Sequence, residues 1–271
     1  MTDQTHDREA APAQAENDGA GDRATAARAL GLIDLTNLED DCSPADIRAL
    51  AARAETPHGN VAALCVWPDF VELAADLASG TGIDIATVVN FPHGRDPLDD
   101  VLAMTGRAVA AGASEIDTVI PYAALMDGDE AAVSEHVRAL VRASGPARLK
   151  VILETGELGD ERTIRLAARL AIEAGADFVK TSTGKVAVNA TIRAARVMLQ
   201  EIEASGRADV GLKPAGGIRT VGEAGAYLDL ADTIMGKDWA RKATFRFGAS
   251  SLLGGVLEAL GEAPQGANGG Y

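Results

Sequence analysis

The chain has 271 residues, 47% of them hydrophobic and 24% charged, a balance typical of a soluble globular protein with a sizeable core. Its formal net charge of −15 argues against nucleic acid and anionic membranes as partners, because both are polyanions. No apolar run approaches the roughly 18 residues that a membrane span needs. The two cysteines, Cys42 and Cys65, follow neither metal spacing nor a disulfide framework, so we expect a reduced, cytoplasmic environment.

The first 23 residues are polar, acidic and rich in Ala and Gly, a composition that predicts a disordered tail. They lack the basic and apolar regions of a signal peptide, so none is predicted there. The folded domain is expected to extend from residue 24 to residue 271 and to end in a flexible C-terminal tail.

From about residue 24, short apolar runs alternate with Ala- and Arg-rich segments of helical spacing, the pattern of successive βαβ units. Eight buried strands in about 250 residues predict a single-domain (β/α)₈ barrel. A doubly wound open sheet is the alternative, although no G-x-G-x-x-G sequence follows the first run. The predicted strands cover residues 31–36, 60–67, 83–91, 115–120, 149–154, 177–182, 210–215 and 245–250.

Lysine is rare in this chain, which suggests that it is kept where an amine is required. Lys180 and Lys213 come late in the sixth and seventh predicted strands, at the end where barrel enzymes place their active sites. Lys150 opens its strand and is therefore assigned to the opposite face. Because neighbouring strands lie about 4.8 Å apart, we expect the amines of Lys180 and Lys213 within roughly 5 Å of each other.

Two such amines favour carbonyl chemistry. Their mutual repulsion and partial burial lower the pKa of one lysine, and a neutral amine can condense with an aldehyde. Asp117 stands in the apolar run "EIDTVI", where a buried carboxylate needs a partner and could relay protons for the condensation. Two structural alternatives stay open: the lysines could pair with carboxylates at the rim, and Asp117 could form a purely structural ion pair.

Two loops carry the pattern of a phosphate site. "KPAGGIRT" places two glycines directly after the seventh strand, and "GASSLLGG" places two serines at the start of the helix after the eighth. Barrel enzymes commonly hold phosphate there, on backbone N–H groups and a helix N-terminus. "TSTGK" can add donors but lacks the spacing of a nucleotide-binding loop. The predicted phosphate contacts are Gly184, Lys185, Gly216, Gly217, Ser250 and Ser251.

Several longer segments resemble the deoxyribose-phosphate aldolases, a family of class I aldolases built on a (β/α)₈ barrel. The similarity runs in colinear order from about residue 24 to the end of the chain. The segments that carry it are "DLTNL", "TVVNFPHG", "EIDTVIPYAALMDGD", "LKVILETGEL", "AGADFVKTSTGKVAVNAT", "VGLKPAGGIRT" and "RFGASSLL".

The resemblance implies a role for each residue of the lysine site. Lys180 corresponds to the lysine that forms the Schiff base, and Lys213 to the second lysine, which perturbs the first and assists proton transfer. Asp117 corresponds to an aspartate that relays protons through water.

The resemblance also implies substrate contacts. Asp34 and Thr36 match residues that line the sugar-binding mouth, and the phosphate contacts named above keep that role. Tyr271 is expected to reach back over the substrate, as a terminal tyrosine does in this family.

The implied reaction is the reversible cleavage of 2-deoxy-D-ribose 5-phosphate to glyceraldehyde 3-phosphate and acetaldehyde. No metal or other cofactor is expected, since the histidines His58, His93 and His136 are isolated and the electron sink would be covalent. The expected partners are small phosphosugars and aldehydes, with a homodimer as the expected assembly. The alternatives are another class I phosphosugar aldolase, an isomerase that uses Lys180 as an electrostatic clamp, and a non-catalytic phosphosugar-binding barrel.

Overall fold

The computed structural model describes the backbone of residues 11–262 and the side chains from residue 21 onward. Helix α1 covers Ala11–Leu30. It therefore begins inside the segment for which the sequence predicts a disordered tail, and residues 11–23 differ from that prediction. The buried side chains Ala26, Ala29 and Leu30 share one face of α1 and pack against the last two helices of the chain. The rest of the predicted tail, residues 1–10, lies outside the described residues.

Eight parallel strands form one sheet. The strands are β1 Ile33–Asn37, β2 Ala63–Val66, β3 Asp84–Val89, β4 Glu115–Val119, β5 Arg148–Ile152, β6 Phe178–Lys180, β7 Gly211–Lys213 and β8 Phe247–Ala249. Their order in the sheet is β8-β1-β2-β3-β4-β5-β6-β7. Isolated bridges from Leu212 to Phe245 and from Ala215 to Gly248 join β7 to β8 and close the sheet into a barrel. All eight predicted strands are thus confirmed, and the open-sheet alternative is wrong.

Helices follow the strands and cover the outside of the barrel. Two of them begin with capping boxes, Ser43 with Asp46 and Thr220 with Glu223. A two-stranded hairpin, Glu55–Thr56 with Gly59–Asn60, and a 3₁₀ turn at Pro68–Phe70 complete the connections. The helices after α1 are α2 Pro44–Ala54, α3 Val71–Leu77, α4 Leu98–Ala110, α5 Tyr122–Met126, α6 Glu130–Ser144, α7 Thr155–Leu158, α8 Glu161–Glu173, α9 Ile192–Ala204, α10 Val221–Met235 and α11 Leu252–Leu260.

The large apolar core lies between the strands and the helices, and the period of two along each strand decides which residues join it. Ile116, Val179 and Leu212 point outward into this core. Their neighbours along the chain point into the barrel, where charged side chains replace the usual apolar filling. None of the helices within residues 11–262 is long and apolar enough to span a membrane.

Candidate active site

Lys180 and Lys213 lie side by side at the carboxyl ends of β6 and β7, where they are direct partners in the strand register. Each amine donates to the same oxygen, Asp117 Oδ2, over 2.8 Å. The two nitrogens are therefore at most twice that distance apart. Lys180 is 3% exposed and Lys213 is fully buried, so the structure brings the three predicted catalytic residues together inside the barrel.

Strand β8 makes room for Lys213 beside it. Gly248 points into the barrel, and a Cβ at this position would lie 2.7 Å from Ala215 Cβ and 3.1 Å from Lys213 Cε. Any larger residue would push against the lysine stem, which explains why "RFGAS" has glycine here.

Asp34 does not line the mouth of the site as the resemblance implies. It is fully buried below the lysines, with Oδ2 at 2.5 Å from Lys213 Nζ. Its other oxygen, Oδ1, accepts a hydrogen bond from Arg246 over 2.6 Å. Asp34 therefore holds Lys213, while Thr36, two residues further along β1, does line the cavity above.

Lys150 also departs from its sequence assignment to the bottom face. It is fully buried in the barrel, where it donates to Asp117 Oδ1 over 3.2 Å and to Glu115. Arg246 closes this lower layer by donating to Glu115 Oε1 over 2.7 Å. The signal for Glu115 was present in the sequence, since it lies two residues before Asp117 on one strand and must face the same way.

The surroundings shift the pKa values of Lys180 and Lys213 in opposite directions. Burial lowers the pKa of Lys180 below its ordinary value, and Lys213 lowers it further against the opposing effect of Asp117. Burial also acts on Lys213, but Asp117 and Asp34 outweigh it and raise the pKa of that amine. Although burial favours the neutral acid, Lys150, Lys180 and Lys213 hold the pKa of Asp117 well below its usual range. Lys180 is thus the amine that most readily becomes neutral.

A cavity of about 420 Å³ opens above Lys180 at the ends of β1, β6, β7 and β8. All six predicted phosphate contacts, from Gly184 to Ser251, line it, and Ser251 stands at the N-cap of α11 without a side-chain capping bond. Gly216 has a φ of 85°, and a Cβ there would lie 2.7 Å from Asn189. The loop can therefore come close to a bound anion, because no side chain projects from Gly216.

Four polar residues of the cavity wall escaped the sequence reasoning, and Thr183, directly before Gly184, is one of them. Asn189 and Arg219 line the cavity beside the glycines, and Glu39 faces Lys185 across it with 3.9 Å between carboxylate and amine. Arg219 is the penultimate residue of the quoted segment "KPAGGIRT" and could have been assigned to the site from its place in that loop. Tyr271 lies outside the described residues.

Glu154 supports the floor of the cavity. It is fully buried in the left-handed conformation, with a φ of 56°, and accepts a hydrogen bond from the Thr183 N–H over 3.2 Å. Burial raises the pKa of this carboxyl group. The bond ties the end of β5 to the loop that follows Lys180.

Among the described residues, no histidine lines the cavity above Lys180. His136 is buried on α6 and pairs with Thr118 over 3.0 Å, and burial lowers its pKa to about 4. Within the described part of the chain, no group of three or more His, Cys, Asp or Glu side chains has an arrangement that could hold a metal ion.

Fold and site together define a class: a single-domain (β/α)₈ barrel with a buried lysine pair beneath a cavity suited to an anion. Comparison with known proteins places the chain within that class, since the model of the DeoC/LacD family of aldolases matches residues 28–253. The chain belongs to this family and is an aldolase.

Known relatives share nearly the full length of the chain. A deoxyribose-phosphate aldolase from Agrobacterium fabrum (strain C58) is 54% identical over 252 residues, which cover 92% of this chain and 97% of the relative. The structure of a tetrameric deoxyribose phosphate aldolase from Aeropyrum pernix superposes with a TM-score of 0.71 at 26% identity, covering 92% and 98% of the two chains. The aldolase QR15 gives a TM-score of 0.74 at 28% identity and covers 86% of this chain and 96% of its own.

Proposed function

We propose that this aldolase cleaves 2-deoxy-D-ribose 5-phosphate through a Schiff base on Lys180. The observation that carries the proposal is the arrangement of Lys180 and Lys213 on a single oxygen of Asp117 at the floor of the cavity. The 54% identity to a deoxyribose-phosphate aldolase supports the choice of substrate.

The nucleophile must be the amine that gives up its proton at lowest cost. Lys213 lies between Asp34 and Asp117 and stays cationic, whereas Lys180 contacts Asp117 and opens to the cavity. Two similar groups with opposite pKa shifts are suited to different tasks. Lys180 therefore attacks, and Lys213 supplies positive charge and protons.

The first steps form the imine. Neutral Lys180 adds to the C1 aldehyde of the open-chain sugar, and the alkoxide oxygen of the carbinolamine takes up a proton. Loss of that oxygen as water leaves an iminium cation on Lys180. Asp117 is placed to move these protons because it accepts a hydrogen bond from the Lys180 amine. Lys213 is placed to do so because it donates to the same oxygen of Asp117.

Carbon–carbon cleavage follows. The C3 hydroxyl loses its proton, the C2–C3 bond breaks to give the aldehyde of glyceraldehyde 3-phosphate, and the bonding electrons move into the iminium to form an enamine. Protonation of the enamine at C2 and hydrolysis release acetaldehyde and return Lys180. The covalent iminium is the electron sink, so the proposed mechanism requires neither metal nor cofactor.

The phosphate of the substrate is held at the upper wall of the same cavity. Gly216, Gly217, the N-cap residue Ser251 of α11 and the cations Lys185 and Arg219 line this part of the cavity. A helix N-terminus and a glycine loop bind a phosphate dianion well. This subsite fixes the sugar so that C1 meets Lys180.

Borohydride trapping tests the proposal. Acetaldehyde with borohydride should leave a permanent ethyl group on Lys180 of the native protein, identified on the peptide by mass spectrometry. Lys180→Arg should fold normally and show neither trapping nor cleavage, because a guanidinium stays protonated. Lys237→Arg, at a solvent-exposed lysine far from the cavity, is the matched control and should behave as the native protein. Phosphosugar binding without trapping would instead support the isomerase or the non-catalytic barrel, and trapping on another lysine of the site in place of Lys180 would refute Lys180 as the nucleophile.

The remaining expectations accompany this function. We place the activity in the cytoplasm, with small phosphosugars and aldehydes as its partners. A homodimer is the proposed assembly, and light scattering decides between it and the tetramer described for the Aeropyrum pernix protein.

A further inference from the structure

The barrel interior below the cavity holds an uneven set of charges. Within the described residues, four cationic side chains and three carboxylates are buried there. The half-buried Asp84, at the edge of this group of charges, forms an ion pair with Arg246. The cations are Lys150, Lys180, Lys213 and Arg246, and the carboxylates are Asp34, Glu115 and Asp117.

Both aspartates divide their oxygens between two layers. Asp117 accepts from Lys180 and Lys213 on Oδ2, and from Lys150 on Oδ1. Asp34 faces Lys213 with Oδ2 and accepts from Arg246 on Oδ1. The lower layer, formed by Lys150, Glu115 and Arg246, thus acts on the upper lysines through shared carboxylates.

The mechanism proposed above leaves this lower layer without a task. We propose that Lys150 is a positioning residue for the reaction: it holds Asp117 from below and supplies the positive charge that leaves Lys180 short of carboxylate partners. This inference rests on the proposed function of Lys180 as the nucleophile.

The groups around both lysines support the assignment. Among residues 21–262, Lys180 forms an ion pair with Asp117 and no other carboxylate, while Cys65 and Glu154 face it at longer range. Lys150 faces Glu115 and Asp117 from β4, Asp34 from β1, Lys213 from β7 and Arg246 ahead of β8. The ring of Phe178 lies against Lys150, with 6.0 Å from the amine to its centroid.

The expected effect has a definite sign. Removal of the Lys150 charge leaves Asp117 with fewer partners, so Lys180 holds its proton more tightly. Removal of the Glu115 charge acts in the opposite direction. At an effective dielectric of about 20, charges that share a carboxylate interact by roughly one pH unit or more.

The test measures the pH dependence of Lys180 alkylation by acetaldehyde and cyanoborohydride in the full chain. Lys150→Met should move the acid limb of the profile upward by roughly one pH unit, a tenfold slower reaction at a fixed acidic pH. Glu115→Gln should move it downward. The double variant removes one charge of each sign and should return close to the native profile.

The outcomes separate this inference from the proposed function. Profiles that coincide for native, Lys150→Met and Glu115→Gln proteins, with normal alkylation of Lys180, would overturn the role of Lys150 and leave the nucleophile intact. A native protein in which Lys180 is never alkylated would overturn both. Circular dichroism checks folding, and if Lys150→Met fails to fold, the downward shift in Glu115→Gln still decides.

Discussion

Replacement of Lys213 by methionine should suppress imine formation at neutral pH and restore it at alkaline pH. Methionine is unbranched like lysine and one atom shorter, so it keeps most of the packing and removes the charge. Lys180 then loses its cationic neighbour and no longer competes for Asp117 Oδ2, so both changes favour its protonated form.

The size of the effect follows from the geometry. Both amines lie 2.8 Å from the same oxygen and so are at most twice that distance apart. At that separation and an effective dielectric of about 20, two unit charges repel by about 3 kcal/mol, which corresponds to about two pH units. The neutral fraction of Lys180, and with it the trapping rate at pH 7, should fall about 100-fold.

The assay is the initial rate of alkylation by acetaldehyde and cyanoborohydride as a function of pH. In the Lys213→Met variant this rate should rise about tenfold per pH unit above neutrality, until most of Lys180 is neutral. Cleavage of the phosphosugar should recover less completely, because Lys213 also moves protons in that reaction.

Lys185→Met serves as the control. Lys185 lines the same cavity but pairs with Glu39 and not with Asp117. Acetaldehyde carries no phosphate, so this variant should be alkylated at the native rate while its KM for the phosphosugar rises. A folded Lys213→Met protein that is alkylated at the native rate at pH 7 would refute the electrostatic reasoning.

Two further predictions concern the phosphate loop and a buried histidine. Gly216→Ala should raise KM for the phosphosugar tenfold or more without slowing acetaldehyde trapping, because its Cβ would collide with Asn189; Gly222→Ala, on a helix with open space around it, should change neither. His136 remains neutral in the folded protein down to about pH 4, whereas the unfolded chain takes up a proton below about 6.5. The free energy of unfolding should therefore fall by about 2 kcal/mol between pH 7 and pH 5. His136→Gln can still pair with Thr118, and urea denaturation of this variant should show a smaller loss of unfolding free energy between pH 7 and pH 5. A loss equal to that of the native protein would show that His136 is not the source of the pH dependence.

The strands could be predicted because each parallel strand is covered on one side by helices and reads as an apolar run. Helix α1 could not be predicted on the same basis. Its segment is polar on average, and its burial depends on Ala26, Ala29 and Leu30, which contact helices at the far end of the chain. Composition does not show such tertiary packing, and small alanines carry little signal.

Lys180 and Lys213, at the upper end of the site, could be predicted because they stand at the ends of their strands. Prediction of Lys150 and Glu115 below them also requires knowing which side chains of a strand point into the barrel. The sequence assigns Lys150 to the bottom face because it comes early in the predicted strand 149–154, yet Lys150 is the middle residue of β5, where it is the register partner of Asp117 and points inward with it. The alternation along β4 also implies that Glu115 is buried beside Asp117. What sequence cannot supply is the stagger between strands, which decides that Lys150 reaches the floor of the active site.

The buried charges inside this barrel are explained by their place next to the active site rather than by a contribution to the stability of the fold. Barrels of this class usually fill their interior with branched apolar residues, and packed apolar side chains often replace a buried ion network without loss of stability. Glu115, Lys150 and Arg246 nevertheless occupy the layer directly below the lysines. A layer of Val and Leu would remove Lys150, the partner of Asp117 Oδ1, and leave that carboxylate oxygen buried without a hydrogen bond.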